Sequence, residues 1–106
     1  MNIAKMMQQA KVMQEKMQEM QEKLGEIEVQ GTAGGGMVTV TSTCKGEVRD
    51  LQIASDLIDP NDKEVLEDLI KAALNDAKAK ADQTMAEETQ KMMEEMGLPA
   101  GAQLPL

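Results

Sequence analysis

Ile3, Met6, Ala10, Met13, Met17, Met20 and Leu24 recur at alternating steps of three and four. Such spacing places all of them on one line of a helix, an a/d seam held over three heptads. The intervening residues are mostly Gln, Glu and Lys, all good helix formers. A helix is therefore expected over residues 2–24, with Gly25 as its stop. A seam of this length must be covered by another helix, by a second chain or by a client. That requirement narrows the possible folds more than any other feature of the chain.

The rest of the sequence supplies a short sheet and one more helix. Glu26–Gln30 alternates, with Ile27 and Val29 on one face, and reads as a strand. Residues 31–36, rich in glycine, read as a flexible connection. Met37–Thr43 alternates again and is β-branched. Cys44-Lys45-Gly46 reads as a turn in which Gly46 takes a positive φ. Glu47–Ala54 is the third strand, with Leu51 and Ile53 expected to face inward. Short turns between neighbours imply an antiparallel meander. Asp59-Pro60-Asn61-Asp62 is a helix start, since Asp caps and Pro suits the first turn. That helix is expected to run to about Met96 and to bury Leu66, Leu69, Ile70, Ala73, Ala77, Ala81, Met85, Met92 and Met96. The expected architecture is α+β: a long N-terminal helix, a three-stranded antiparallel sheet and a long C-terminal helix. Residues 1–96 form one domain, and 97–106 are a Gly/Pro-containing tail.

Helices of these lengths span roughly 35 Å and 50 Å, whereas a seven-residue strand covers roughly 23 Å. So small a sheet cannot cover both apolar stripes, and a homodimer is the least costly cover. Met6, Met13, Met17, Met20, Leu66, Ile70, Ala73 and Ala77 are the residues expected in the core or the dimer contact.

Absences limit the chemistry. The 106 residues contain no His, Phe, Tyr or Trp, one Cys and 11 Met. Without His, the commonest acid/base catalyst and metal ligand is missing. One Cys makes neither an intramolecular disulfide nor a thiolate zinc site. No aromatic ring is present on which a base could stack. The Gly34-Gly35-Gly36 run lacks a Walker lysine and a following helix, so it reads as a hairpin loop rather than a phosphate loop. No enzyme, cofactor, metal or small-molecule substrate is expected. No apolar run is long enough for a membrane span, and the start lacks a secretory h-region. With the unpaired Cys44, these features give a cytoplasmic expectation.

The net charge of −8 argues against nucleic acid, but its distribution does not. In residues 1–24, Lys5, Lys11, Lys16 and Lys23 outnumber Glu15, Glu19 and Glu22. Lys5, Lys16 and Lys23 fall on nearly one helical line flanking the Met seam, with the glutamates behind. Lys71 and Lys78 share a face of the second helix, and Lys80 lies on its other flank. Such lines fit two readings: a phosphate-facing edge, or a solvated face with internal ion pairs.

Several segments together resemble the YbaB/EbfC family of bacterial nucleoid-associated proteins. They are MMQQAKVMQEKMQEMQEKL ending at Leu24, IEVQGTAGGGMVTVTSTCKGEV from Ile27, LQIASDLI from Leu51, LEDLIKAALNDAKAKA from Leu66, and the GLPAGAQLPL tail. The resemblance covers nearly the whole chain. It implies a helix–sheet–helix fold paired into a tweezer-like homodimer that binds double-stranded DNA in the nucleoid and influences gene expression broadly. The DNA-facing candidates are then Lys5, Lys11, Lys16, Lys23, Lys71, Lys78 and Lys80. The alternative is a protein-interaction or chaperone-like module that holds clients on its Met-rich helices.

Overall fold

A computed structural model describes residues 2–97. Helix α1 (Ile3–Leu24) is followed by strands β1 (Glu28–Ala33), β2 (Val38–Thr43) and β3 (Val48–Ile53). Two single 3-10 turns, Ser55–Leu57 and Pro60–Asp62, lead into helix α2 (Lys63–Glu95). The result is the expected α+β arrangement, drawn out to 70 × 22 × 17 Å.

Local chemistry sets the element ends. Asn2 caps α1, its Oδ1 accepting from the backbone N–H of Ala4 at 3.1 Å and Lys5 at 3.4 Å. Gly25 closes α1 in a right-handed conformation, φ −71°, so this stop does not use glycine's left-handed freedom. Asp59 Oδ1 accepts from the N–H of Asn61 at 2.9 Å, so the expected cap is present. The turn it starts is 3-10, and the α-helix begins at Lys63.

The sheet order is β1-β2-β3, antiparallel throughout. Gly34, Gly35 and Gly36 all have positive φ in the first hairpin. Residues opposite each other on neighbouring strands share a face. Val29, Gly31, Ala33, Val38, Val40, Ser42, Val48, Leu51 and Ile53 therefore lie on one side, with a bulge at Thr41/Ser42. Glu28, Gln30, Thr32, Thr39, Thr41, Asp50 and Gln52 form the polar reverse.

Helix α2 crosses the apolar side over β1 and β2. Val38, Val40, Ala73 and Ala77 are buried together, with Leu69 and Ile70 packed against them. Gly31 corrects the sequence reading: it is a buried residue in the middle of β1, not part of a connection. A Cβ built there would lie 2.2 Å from the Ala73 carbonyl oxygen and 2.3 Å from the Ala77 nitrogen. Glycine facing alanine thus lets the helix backbone sit directly on the strand. Two polar bonds fasten the same contact. Asp76 Oδ2 accepts from the N–H of Thr32 at 3.0 Å, and Lys80 Nζ donates to the Gln30 carbonyl at 2.7 Å. Together they satisfy part of the outer edge of β1.

A second core joins the helices. Met20, Leu24, Cys44, Ala81 and Met92 are buried there, with Met17, Met85 and Met96 against them. The helices run antiparallel: Lys23 Nζ meets Glu88 Oε2 at 2.8 Å, and the Thr89 hydroxyl lies 3.6 Å from Met20 Sδ. Because α2 closes beside Lys16, the first half of α1 projects past it.

Candidate nucleic-acid interface

The projecting half of α1 carries lysine and no acid. Residues 2–14 carry Lys5 and Lys11 and no Asp or Glu. Among the described residues, neither lysine has a carboxylate within 4.0 Å. At 100° per residue they lie on opposite flanks of the seam, so the projection offers an ammonium on each side.

The other candidates are occupied to different degrees. Lys16 is 3.8 Å from Glu19 and Lys71 is 3.9 Å from Asp68. Exposed contacts this long contribute little and are readily exchanged for a phosphate. Lys78 pairs with Asp82 at 3.0 Å. Lys23 and Lys80 belong to the fold itself. The Lys23 hydrogen bond holds the Glu88 carboxyl below the usual range, and Glu88 in turn raises Lys23. The Thr32 N–H, and then Lys80, depress Asp76. Lys45 and Lys63, which the sequence reading did not select, also have no carboxylate partner among the described residues. Lys63 sits at the start of α2, beside Glu64. Arg49, the only arginine, is tied to Glu28 at 3.1 Å and to the Gly25 carbonyl at 3.1 Å. The side chain best suited to reading guanine is therefore engaged on the sheet.

The expected packing residues divide in the same way. Met20, Ala73 and Ala77 are buried, and Met13, Met17, Leu66 and Ile70 are half-buried. Met6 is 52% exposed, because α2 ends before reaching it. Met93, which the sequence reading passed over, is buried.

A second surface lies where α2 stops short of β3. An open groove of about 440 Å³ runs between Val40, Val48, Leu74, Ala77, Ala81 and Met85. Leu51 is on the apolar face as expected but remains 45% exposed, and Leu74 is 40% exposed. Cys44 lies at the groove's end, 3% exposed, and burial pushes its thiol up, away from reactivity. No helix among the described residues is long and apolar enough to cross a membrane.

Fold and site together describe a small α+β binding protein with a basic helical projection and an open apolar groove. Residues 1–96 match the YbaB/EbfC DNA-binding family, and the chain belongs to that family. It is 54% identical over 104 residues to a nucleoid-associated protein of Granulibacter bethesdensis, covering 98% of this chain and 97% of that one. A nucleoid-associated protein of Rhodospirillum centenum is 52% identical with the same coverage. The crystal structure of an uncharacterized protein from Helicobacter pylori superimposes with a TM-score of 0.76 at 27% identity, covering 88% of this chain and 98% of that one.

Proposed function

We propose that this protein binds duplex DNA as a homodimer, through lysine–phosphate contacts led by the projecting half of α1. Membership of a DNA-binding family supports DNA as the partner, and the names of its relatives support a place in the nucleoid. The observation that carries the residue assignment is the pair Lys5 and Lys11, without a carboxylate partner among the described residues, on an acid-free helical projection. Lys16 and Lys71 join once their loose pairs open. Lys78 exchanges less readily, and Lys23 and Lys80 add only to the local potential. Binding of this kind positions the protein without reading bases. With Arg49 engaged, sequence preference is weak or carried by DNA shape. Broad effects on expression would follow from DNA organisation rather than from operator recognition.

The homodimer reading rests on the groove beside β3. Val48 and Leu74 line it, Leu51 lies on the same face of β3 opposite Val40, and all three are half-exposed; an apolar surface of this kind is expected to be covered.

Anisotropy of a labelled duplex, titrated over several salt concentrations, tests the proposal. Lys5 and Lys11 of each chain in a dimer give four phosphate contacts and a log K against log salt slope of about −3.6; adding Lys16 and Lys71 brings it to about −7. No binding at low salt by a folded dimer would overturn the reading. The exposed Ile3, Met6 and Met7 favour a second reading, a client-holding module. Suppression of client aggregation without DNA would distinguish it.

A further inference from the structure

Over its outer turns α1 stands as a single helix. Asn2 holds the first turn, its Oδ1 accepting from the N–H groups of Ala4 and Lys5, and α2 closes beside Lys16. Ile3, Met6 and Met7 are 72%, 52% and 68% exposed. At 100° per residue, these side chains and Ala10 fall within about 100° of arc. Lys5 flanks that face beyond Met6, and Lys11 flanks it beyond Met7. Residues 2–14 hold no carboxylate side chain. The surface such a face complements is apolar in the middle and anionic along both edges.

Duplex DNA has such a surface in one of its grooves. A bare helix is about 10–12 Å across. The major groove is about 12 Å wide and the minor groove about 6 Å. Packed helix axes lie about 8–10 Å apart, so the paired part of α1 and α2 is roughly 20 Å across and stays outside either groove. Only the uncovered half of α1 fits, and only in the major groove. The apolar group on that floor is the thymine C5 methyl, and both rims are phosphate. Residues 3–11 rise about 12 Å, which is roughly three to four base steps.

We propose that Ile3, Met6 and Met7 lie against thymine methyl groups on the major-groove floor, with Lys5 at one phosphate rim and Lys11 at the other. This rests on the DNA-binding reading and goes beyond it. The lysines position the protein, and the apolar face between them adds a bias toward A·T-rich duplex. The bias is mild, because a methyl contact has no hydrogen-bond direction and a flexible thioether chain adapts to several methyl positions. It needs no arginine, in keeping with Arg49 being held by Glu28 and the Gly25 carbonyl.

The test uses the full chain, a labelled A·T-rich duplex, and its counterpart with deoxyuridine in place of thymidine, which lacks only the methyl groups. The wild type should bind the deoxyuridine duplex about fourfold more weakly for each methyl the face covers. The slope of log K against log salt should not change, since no phosphate contact is lost. Met6→Gln/Met7→Gln keeps the charge and a similar helix propensity, and it should bind the two duplexes alike. Equal affinity of the wild type for both duplexes overturns the proposal. A variant that discriminates as strongly as the wild type also overturns it, because the methyl effect then acts through DNA shape. If the variant shifts the sedimentation equilibrium of the DNA-free protein, the face belongs to a second copy, and the proposal falls on that ground. Absence of binding to either duplex at low salt is a separate result: it overturns the DNA-binding reading itself, and this inference with it.

Discussion

Replacing Gly31 with alanine should loosen α2 from the sheet. The added methyl would stand 2.2 Å from the Ala73 oxygen, 2.3 Å from the Ala77 nitrogen and 2.8 Å from the Ala77 Cα. All three are backbone atoms, so no rotamer change relieves the clash. Restoring an ordinary contact requires the helix to retreat by about 1 Å from a well-packed position, and overpacking costs about 1–3 kcal/mol. The upper end applies, because the retreat also stretches the Asp76–Thr32 and Lys80–Gln30 bonds. At about 4–8 °C per kcal/mol for a chain of this size, Tm should fall by about 12–24 °C. With no Trp, Tyr or Phe in the chain, far-UV circular dichroism is the readout. Protein concentration is held fixed so that self-association does not move the midpoint. Chain entropy pulls the other way: Gly31 is not among the residues of positive φ, and alanine in place of a strand glycine is worth roughly 0.5–1 kcal/mol, which brings the net cost to about 2–2.5 kcal/mol and the net fall in Tm to about 8–20 °C. A neutral or raised Tm would refute the close approach of α2 to β1.

Other perturbations test separate contacts. Glu88 is held below the usual carboxylate range by Lys23, so its pair stabilises the fold above the unfolded pKa of about 4.3 and is lost as pH falls further. Lys23 is raised, so its share is present below the ordinary lysine pKa and lost as pH climbs through the higher folded value. Glu88→Gln should therefore flatten the pH–stability curve at both ends, measured by urea denaturation across pH; an unchanged curve would show that the pair adds nothing. Asp76→Asn should remove acid-side dependence, since Asp76 is depressed by the Thr32 N–H and by Lys80. Equal acid sensitivity in the variant and the parent would contradict this. Leu51→Glu with Leu74→Glu should convert a dimer to monomers by sedimentation equilibrium while the helical signal persists. An intact dimer would move the contact away from the groove.

Much of this fold is legible in periodicity. The three-four spacing of Ile3 to Leu24 sets α1, alternation sets β2, and Asp59-Pro60 marks the approach to α2. Gly31 was misread because its neighbourhood, Gly-Thr-Ala-Gly-Gly-Gly, is rich in loop formers. The signal was still present: Ile27, Val29, Gly31 and Ala33 occupy every second position. Small residues on that face match the Ala73, Ala77 and Ala81 stripe opposite. Exposure of Leu51 was not legible, because alternation gives the face of a side chain and not whether anything covers it. At the candidate interface, the pairs Asp68–Lys71, Asp76–Lys80 and Lys78–Asp82 can be read as i,i+3 and i,i+4 neighbours. The Lys23–Glu88 pair cannot, since its partners are 65 residues apart and meet only when the helices pack.

The most direct test of the central claim compares two double variants in the salt-dependent DNA titration. Lys5→Gln/Lys11→Gln removes the two ammonium groups of the projection, and Lys78→Gln/Lys80→Gln removes two that are tied to Asp82 and Asp76. The first pair should cut the slope of log K against log salt by about 3.6 for a dimer. The second should cut it by less than half as much. The reverse order, or an unchanged slope in the Lys5/Lys11 variant, would contradict the assignment of the interface to the projecting half of α1.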